Sequence, residues 1–256
     1  MRLQHRFDGP SAAPVLVLSN SLGTDLELWS ANVTGWSSSF RVLRYDHKGH
    51  GGSDAPPGPY TIESLAGDVL ALLDGAGVER ASFCGLSLGG AVGMWLAANA
   101  PERIDRLVLA CTAARFGDPA AWHERADVVR RQGIDAIADA HLGRWFTRAF
   151  AEREPAVVAE FRERLVATPR EGYAGCCEAI AGWDFRERLG EVQAPTLVIA
   201  GADDPATPPE RAALLADPIP NAKLVILPDA AHLASVEQAE TVTALLVEHF
   251  VGAGGR

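Results

Sequence analysis

Six short runs rich in Val, Leu and Ile, each bounded by turn residues, punctuate the chain: Val15–Ser19, Arg41–Tyr45, Ala81–Cys84, Leu107–Ala110, Thr196–Ala200 and Lys223–Leu227. Continuous apolar runs of this length fit strands buried on both faces, as in a parallel sheet covered by helices. Between them the apolar spacing lengthens to three or four. Thr61–Ala76 places Ile62, Leu65, Val69, Leu72 and Leu73 on one helical face. Leu88–Asn99 is apolar nearly all round and predicts a buried helix. Ser235–Val251 predicts a closing helix with Ser235 as its N-cap. Leu3–Phe7 reads as a further strand near the N-terminus. Strand and helix alternate, which predicts a doubly wound α/β sheet.

The alternation stops between Arg115 and Trp183. Only helical patterns occur there, about four short helices separated near Gly133, Pro155 and Pro169–Gly172. A helical insertion between two strands of such a sheet predicts a cap over their carboxyl ends, where α/β sheets bind ligands. The expected organisation is a core built from 1–114 and 184–256, with a helical cap at 115–183. A second structural domain away from the site is the alternative.

Composition removes several classes of function. The chain has 256 residues, 48% hydrophobic and 22% charged, enough for a sizeable core and unlike a disordered protein. A net charge of -10 argues against a nucleic-acid partner, which would require an excess of Lys and Arg. Cys84, Cys111, Cys176 and Cys177 have neither zinc-site spacing nor the look of a disulfide framework, so reduced thiols are expected. MRLQHRFDGP lacks the apolar centre of a signal peptide, and no apolar run is long enough to span a membrane. A cytoplasmic protein without a membrane partner is the expectation; oligomeric state cannot be read.

The strongest chemical signal is Gly85-Leu86-Ser87-Leu88-Gly89, directly after a strand and directly before an apolar helix. A sharp strand-to-helix turn lifts the central serine above the sheet, and small flanking residues let the chain turn tightly. It also aims the N–H of Leu88 at the same spot, at the positive end of a helix. A serine hydroxyl is a weak nucleophile at neutral pH and needs a base, itself oriented by a third group. On this kind of elbow the chain order is serine, acid, histidine. Two loops at later strand ends supply them: Gly201-Ala202-Asp203-Asp204-Pro205 and Ala230-Ala231-His232-Leu233. Of the seven histidines, only His232 lies after a late strand and before the last helix. Asp204 is chosen over its neighbour Asp203 by the Gly-x-x-Asp spacing. A second oxyanion donor is expected from the loop Ser19–Thr24, with the backbone N–H of Leu22 paired to that of Leu88.

The sequence resembles the 3-oxoadipate enol-lactonases, a branch of the α/β-hydrolase superfamily. The wider resemblance covers nearly the whole chain and is carried by Asp46–Ser53, Gly85–Gly89, Gly201–Asp204 and His232. The narrower one rests on LSNSLGTDLELW (Leu18–Trp29), FRVLRYD (Phe40–Asp46), CGLSLGG (Cys84–Gly90), RLVLACTAARFG (Arg106–Gly117) and RWFT (Arg144–Thr147). Asn20 and Ser21 stand where most relatives carry His-Gly, and Lys48 where Arg is usual. The chain begins near the second strand of the usual fold, so a mostly parallel sheet of seven or eight strands flanked by helices is implied.

The resemblance implies a cofactor-free carboxylic-ester hydrolase without metal. It would open 3-oxoadipate enol-lactone to 3-oxoadipate through an acyl-enzyme, a step of the β-ketoadipate pathway of aromatic catabolism. Such a substrate carries a carboxylate, so an acidic chain must supply a local cation. The segment Arg115–Trp183 holds 10 Arg against 11 acidic residues, a balance of -1 beside -9 for the rest. Arg144 is the candidate clamp, since a guanidinium meets a carboxylate bidentately. Trp145 is the candidate apolar wall. Surface pairing and core packing are the plainer roles for these two. Alternatives for the whole are a broad-specificity carboxylesterase or perhydrolase with the same triad, and a hydrolase-like ligand receptor.

Overall fold

In the computed structural model, which describes residues 1–251, the apolar runs become strands. They are β1 (His5–Asp8), β2 (Val15–Ser19), β3 (Arg41–Tyr45), β4 (Ala81–Leu86), β5 (Ile104–Ala110), β6 (Thr196–Gly201) and β7 (Lys223–Leu227). They form one seven-stranded sheet in the order β1-β3-β2-β4-β5-β6-β7. Only β1 runs antiparallel, against β3; every other pairing is parallel. The order reverses at β2 and β4, so the crevice beyond their carboxyl ends is where this architecture opens a site. The loop after β2 and the turn after β4 meet there.

The central strands β2 to β6 are buried along most of their length, as their unbroken apolar runs require. β7 departs from the expectation of two covered faces. It is an edge strand, last in the sheet, and Ile226 is 47% exposed. β4 continues two residues beyond the predicted Cys84, to Leu86. Leu88–Asn99 forms the expected buried helix against β4 and β5. The closing segment is two helices, Ala234–Glu237 and Ala239–Val251, broken at Gln238. Ser235 lies inside the first and caps nothing, because it is buried within the turn behind His232.

Between β5 and β6 lie five helices rather than four: Pro119–Gln132, Asp135–Trp145, Arg148–Arg153, Pro155–Ala167 and Arg170–Ala181. The unpredicted break falls at Phe146, in extended conformation, after which the Thr147 hydroxyl caps the next helix by accepting from Phe150 N–H. This helical layer is fastened to the sheet side in several places. The backbones of Gly49 and Gly172 touch, leaving no room for a Cβ on either. Arg164 pairs with Asp25 at 3.0 Å, and Trp183 Nε1 donates to the Ala113 carbonyl at 3.1 Å. All four cysteines are free and buried. Burial pushes their thiols up, that of Cys177 to about 12, so they stay protonated and pack as small apolar groups.

Two glycine substitutions should diverge. Gly67 is on the exposed side of the helix Ile62–Gly75, with nothing where a Cβ would go. Gly67→Ala should stabilise by about 0.5–1 kcal/mol through the lost freedom of the unfolded chain. Gly89→Ala would drive a methyl into the Ser19 carbonyl, and should cost more than about 3 kcal/mol or prevent folding. Urea denaturation of the two variants checks both.

Candidate active site

Ser87 occupies a sharp turn between β4 and the helix Leu88–Asn99. Its φ of 56° and ψ of -111° lie outside the regions open to an ordinary residue. The turn is held from both sides: Ser87 N–H donates to the Ala110 carbonyl at 2.9 Å, and the Thr112 hydroxyl donates to the Ser87 carbonyl at 2.7 Å. A Cβ on Gly85 would collide with the Gly89 carbonyl, and a Cβ on Gly89 with the Ser19 carbonyl. The two glycines of the motif are therefore dictated by backbone contact. Leu88 begins the helix, so its N–H has no partner in the turn before it.

The loop after β2 is fixed by buried polar groups. Asn20 Nδ2 donates to the Tyr45 carbonyl at 2.7 Å, while Asn20 Oδ1 accepts from Trp29 Nε1 at 2.9 Å. His47 Nε2 lies 3.1 Å from the Asn20 carbonyl, which accepts its proton. Gly23 N–H donates to His50 Nε2 at 3.0 Å, a contact that requires His50 to be neutral. Burial holds both imidazoles uncharged, lowering His47 to about 3 and His50 to about 4. Neither Leu22 N–H nor Leu88 N–H donates to an acceptor among the described residues, although both residues are buried. Buried donors left open in this way are rare.

His232 and Asp204 meet below the same edge. His232 Nδ1 donates to Asp204 Oδ2 at 2.8 Å, and both residues are buried. The carboxylate also accepts the Thr207 hydroxyl at 2.7 Å and the N–H groups of Ala206 and Thr207 at 2.8 and 3.0 Å. Burial by itself would raise the Asp204 carboxyl. The charge of His232 and the bonds from His232 and Thr207 outweigh it and hold the group below the usual carboxylate range. Asp203 points away: it is exposed, and only its backbone N–H engages the loop, donating to the Ala230 carbonyl.

Ser87 and His232 open into one cavity of about 260 Å³, shared with Leu22, Trp145 and Arg144. The structure thus gathers the side chains of Ser87, His232, Arg144 and Trp145 and the loop residue Leu22, with Asp204 behind His232. Trp145 is buried in the wall and Arg144 is exposed at the rim. Sequence reasoning missed Arg125 and His141, which also line the cavity. Arg125 stacks over the Trp122 ring at 4.3 Å. An Arg three residues after a Trp on one helical face is a detectable pattern, but a common one. Neither Arg125 nor Arg144 pairs with a carboxylate among the described residues. His141 Nε2 accepts from the Tyr173 hydroxyl at 3.0 Å. Burial, together with the nearby Arg125, Arg144 and His232, lowers His141 to about 3. Asp118 is at the edge of the cavity with one carboxylate oxygen accepting Ala120 N–H.

Residues 14–239 match the family model described as the alpha/beta hydrolase fold, and the chain belongs to that family. Within it, the chain is 43% identical to 3-oxoadipate enol-lactonase 2 of Acinetobacter baylyi, over 92% of this chain and 88% of that protein. Among solved structures, the enol-lactonase from Burkholderia xenovorans LB400 superposes with a TM-score of 0.96 at 48% identity, covering 98% of this chain and 96% of that one. A thermophilic esterase from Thermogutta terrifontis, solved with malate bound, gives a TM-score of 0.92 at 32% identity over 97% and 93% of the two chains.

Three imidazoles held neutral by the fold make stability pH-dependent with a definite sign. The unfolded chain takes up a proton on each below about pH 6.5, whereas the native groups resist until about pH 4 or 3. Their contribution is complete above pH 6.5 and is lost as the pH falls, by up to about 1.4 kcal/mol per pH unit for each group. Denaturant midpoints measured at pH 7.5, 5.5 and 4.5 should therefore fall in that order. His50→Gln should flatten the slope.

Proposed function

We propose that the protein is a serine hydrolase that opens the lactone ring of 3-oxoadipate enol-lactone to give 3-oxoadipate. The observation that carries this reading is one cavity holding Ser87 and a carboxylate-anchored His232 beside two guanidiniums that pair with no carboxylate among the described residues. The substrate combines a carbonyl that needs a nucleophile with a carboxylate that needs a cation. Identity to the Acinetobacter and Burkholderia enol-lactonases supports the same substrate.

In this mechanism Ser87 Oγ attacks the lactone carbonyl while His232 Nε2 takes the hydroxyl proton. Asp204 holds the imidazole in the tautomer with Nδ1–H and stabilises the imidazolium. The N–H groups of Leu22 and Leu88 receive the developing oxyanion, each such donor being worth about 2.7–4 kcal/mol in the transition state. The ring C–O bond breaks, and His232 returns the proton to the departing enol oxygen. The enol then becomes a ketone, which makes the opening favourable. A water deprotonated by His232 attacks the acyl-enzyme, and the acid leaves as Ser87 regains its proton.

The segment 115–183 acts as the cap. Arg125 and Arg144 clamp the carboxylate and Trp145 covers the ring. His141, kept neutral, lines the wall without adding a charge. The reading places this small-molecule reaction in the cytoplasm, where the route of aromatic breakdown supplies the lactone. Likeness to the Thermogutta esterase favours a second reading, a carboxylesterase of broader scope.

Three results test these assignments. Ser87→Ala should retain the fold and lose at least about 99% of turnover; more residual activity removes Ser87 as nucleophile. Asp204→Asn should lower kcat far more than Asp203→Asn, and the reverse order would move the acid. Arg125→Ala and Arg144→Ala should each raise KM for the enol-lactone about 10- to 100-fold, the worth of a charged hydrogen bond, with little change for p-nitrophenyl acetate. Equal efficiency on the two substrates in the parent protein would select the broader esterase.

A further inference from the structure

His232 is gripped at Nδ1 by Asp204, but one bond to a ring nitrogen leaves the position of the residue's own backbone open. Both flanking residues are fixed from outside the loop. Ala231 N–H donates to Glu237 Oε2 at 2.5 Å, and Leu233 N–H donates to the Trp145 carbonyl at 2.9 Å. The other oxygen of Glu237, Oε1, accepts Thr147 N–H and the Thr147 hydroxyl, each at 2.8 Å. One carboxylate thus joins the loop that carries His232 to the helix break that carries Trp145. The break at Phe146 is what turns the Thr147 N–H and hydroxyl toward the carboxylate.

We propose that Glu237 is the positioning residue for His232, holding the imidazole in register with Ser87 and coupling it to the Trp145 wall of the cavity. It touches neither substrate nor reacting atoms and acts through Ala231. Three donors converge on one carboxylate, and bonds to an ionised acceptor are about twice as strong as neutral ones. The loop it steadies is short and held on its other side by Gly201, whose backbone lies directly against the carbonyls of Ala230 and Ala231. With that side packed, the bond from Ala231 to Glu237 holds the loop from a second direction. This inference rests on His232 being the base, and its test separates the two.

The test compares Glu237→Gln, Thr147→Val, Thr147→Ser and His232→Ala with the parent, using enol-lactone kinetics and the rate of fluorophosphonate inactivation. The inactivation rate reads the Ser87–His232 alignment without depending on substrate binding. Glu237→Gln presents an amide NH2 to one of the donors and breaks one arm of the bridge. It should lower kcat and the inactivation rate together by about 10- to 100-fold, the cost of misplacing a reacting group by roughly 1 Å, with KM within about threefold. Thr147→Val should act in the same direction but less, and Thr147→Ser should restore the parent values. A folded Glu237→Gln protein with both rates within about threefold of the parent overturns the proposal. So does a change confined to KM, or a loss that merely tracks the unfolded fraction in a melting curve. If Glu237→Gln fails to fold, the Thr147 pair decides by the same criteria. Rapid inactivation of His232→Ala would instead overturn the assignment of the base.

Discussion

Backbone touching backbone at Gly85, Gly89 and Ser19 is the constraint on which the site depends. With no Cβ between them, the end of β4, the start of the following helix and the loop after β2 come within direct contact. That closeness forces Ser87 into its strained turn and buries Leu88 and Leu22 beside it. Threonine and backbone bonds then hold the strain in place from β5 and the loop beyond it. The placing of Ser87 at the cavity is thus a product of what the neighbouring residues lack.

Charge is distributed around this point with economy. Inside a chain of net charge -10, the buried histidines His47, His50 and His141 are uncharged and serve as hydrogen-bonding struts. Behind His232 lies the buried carboxylate of Asp204, and four donors satisfy it. Among the described residues neither Arg125 nor Arg144 pairs with a carboxylate, although Asp118 lies at the edge of the same cavity.

The sheet, the elbow and the two late loops could be read from the chain because each is a local pattern: an apolar run, then a turn, then a helix or a short acidic or histidine-bearing loop. What escaped was non-local. The break at Phe146 sits in a stretch that reads Trp-Phe-Thr-Arg-Ala-Phe, apolar enough to continue a helix, and the carboxylate that receives the freed Thr147 N–H belongs to Glu237, 90 residues further on. Ser235 has the residue type of a cap but is swallowed by the packing behind His232. Arg125 looks like any solvated helical arginine until the fold turns its face inward. The half-exposed β7 has the same composition as its buried neighbours, since an edge is a property of the sheet and not of the strand.

The contact between Gly49 and Gly172 also has a bearing on what can enter. Together with the Arg164–Asp25 pair and the Glu237 bridge, it ties the helical layer to the sheet side at three points. The cavity between this layer and the sheet, about 260 Å³, has the volume of a small molecule.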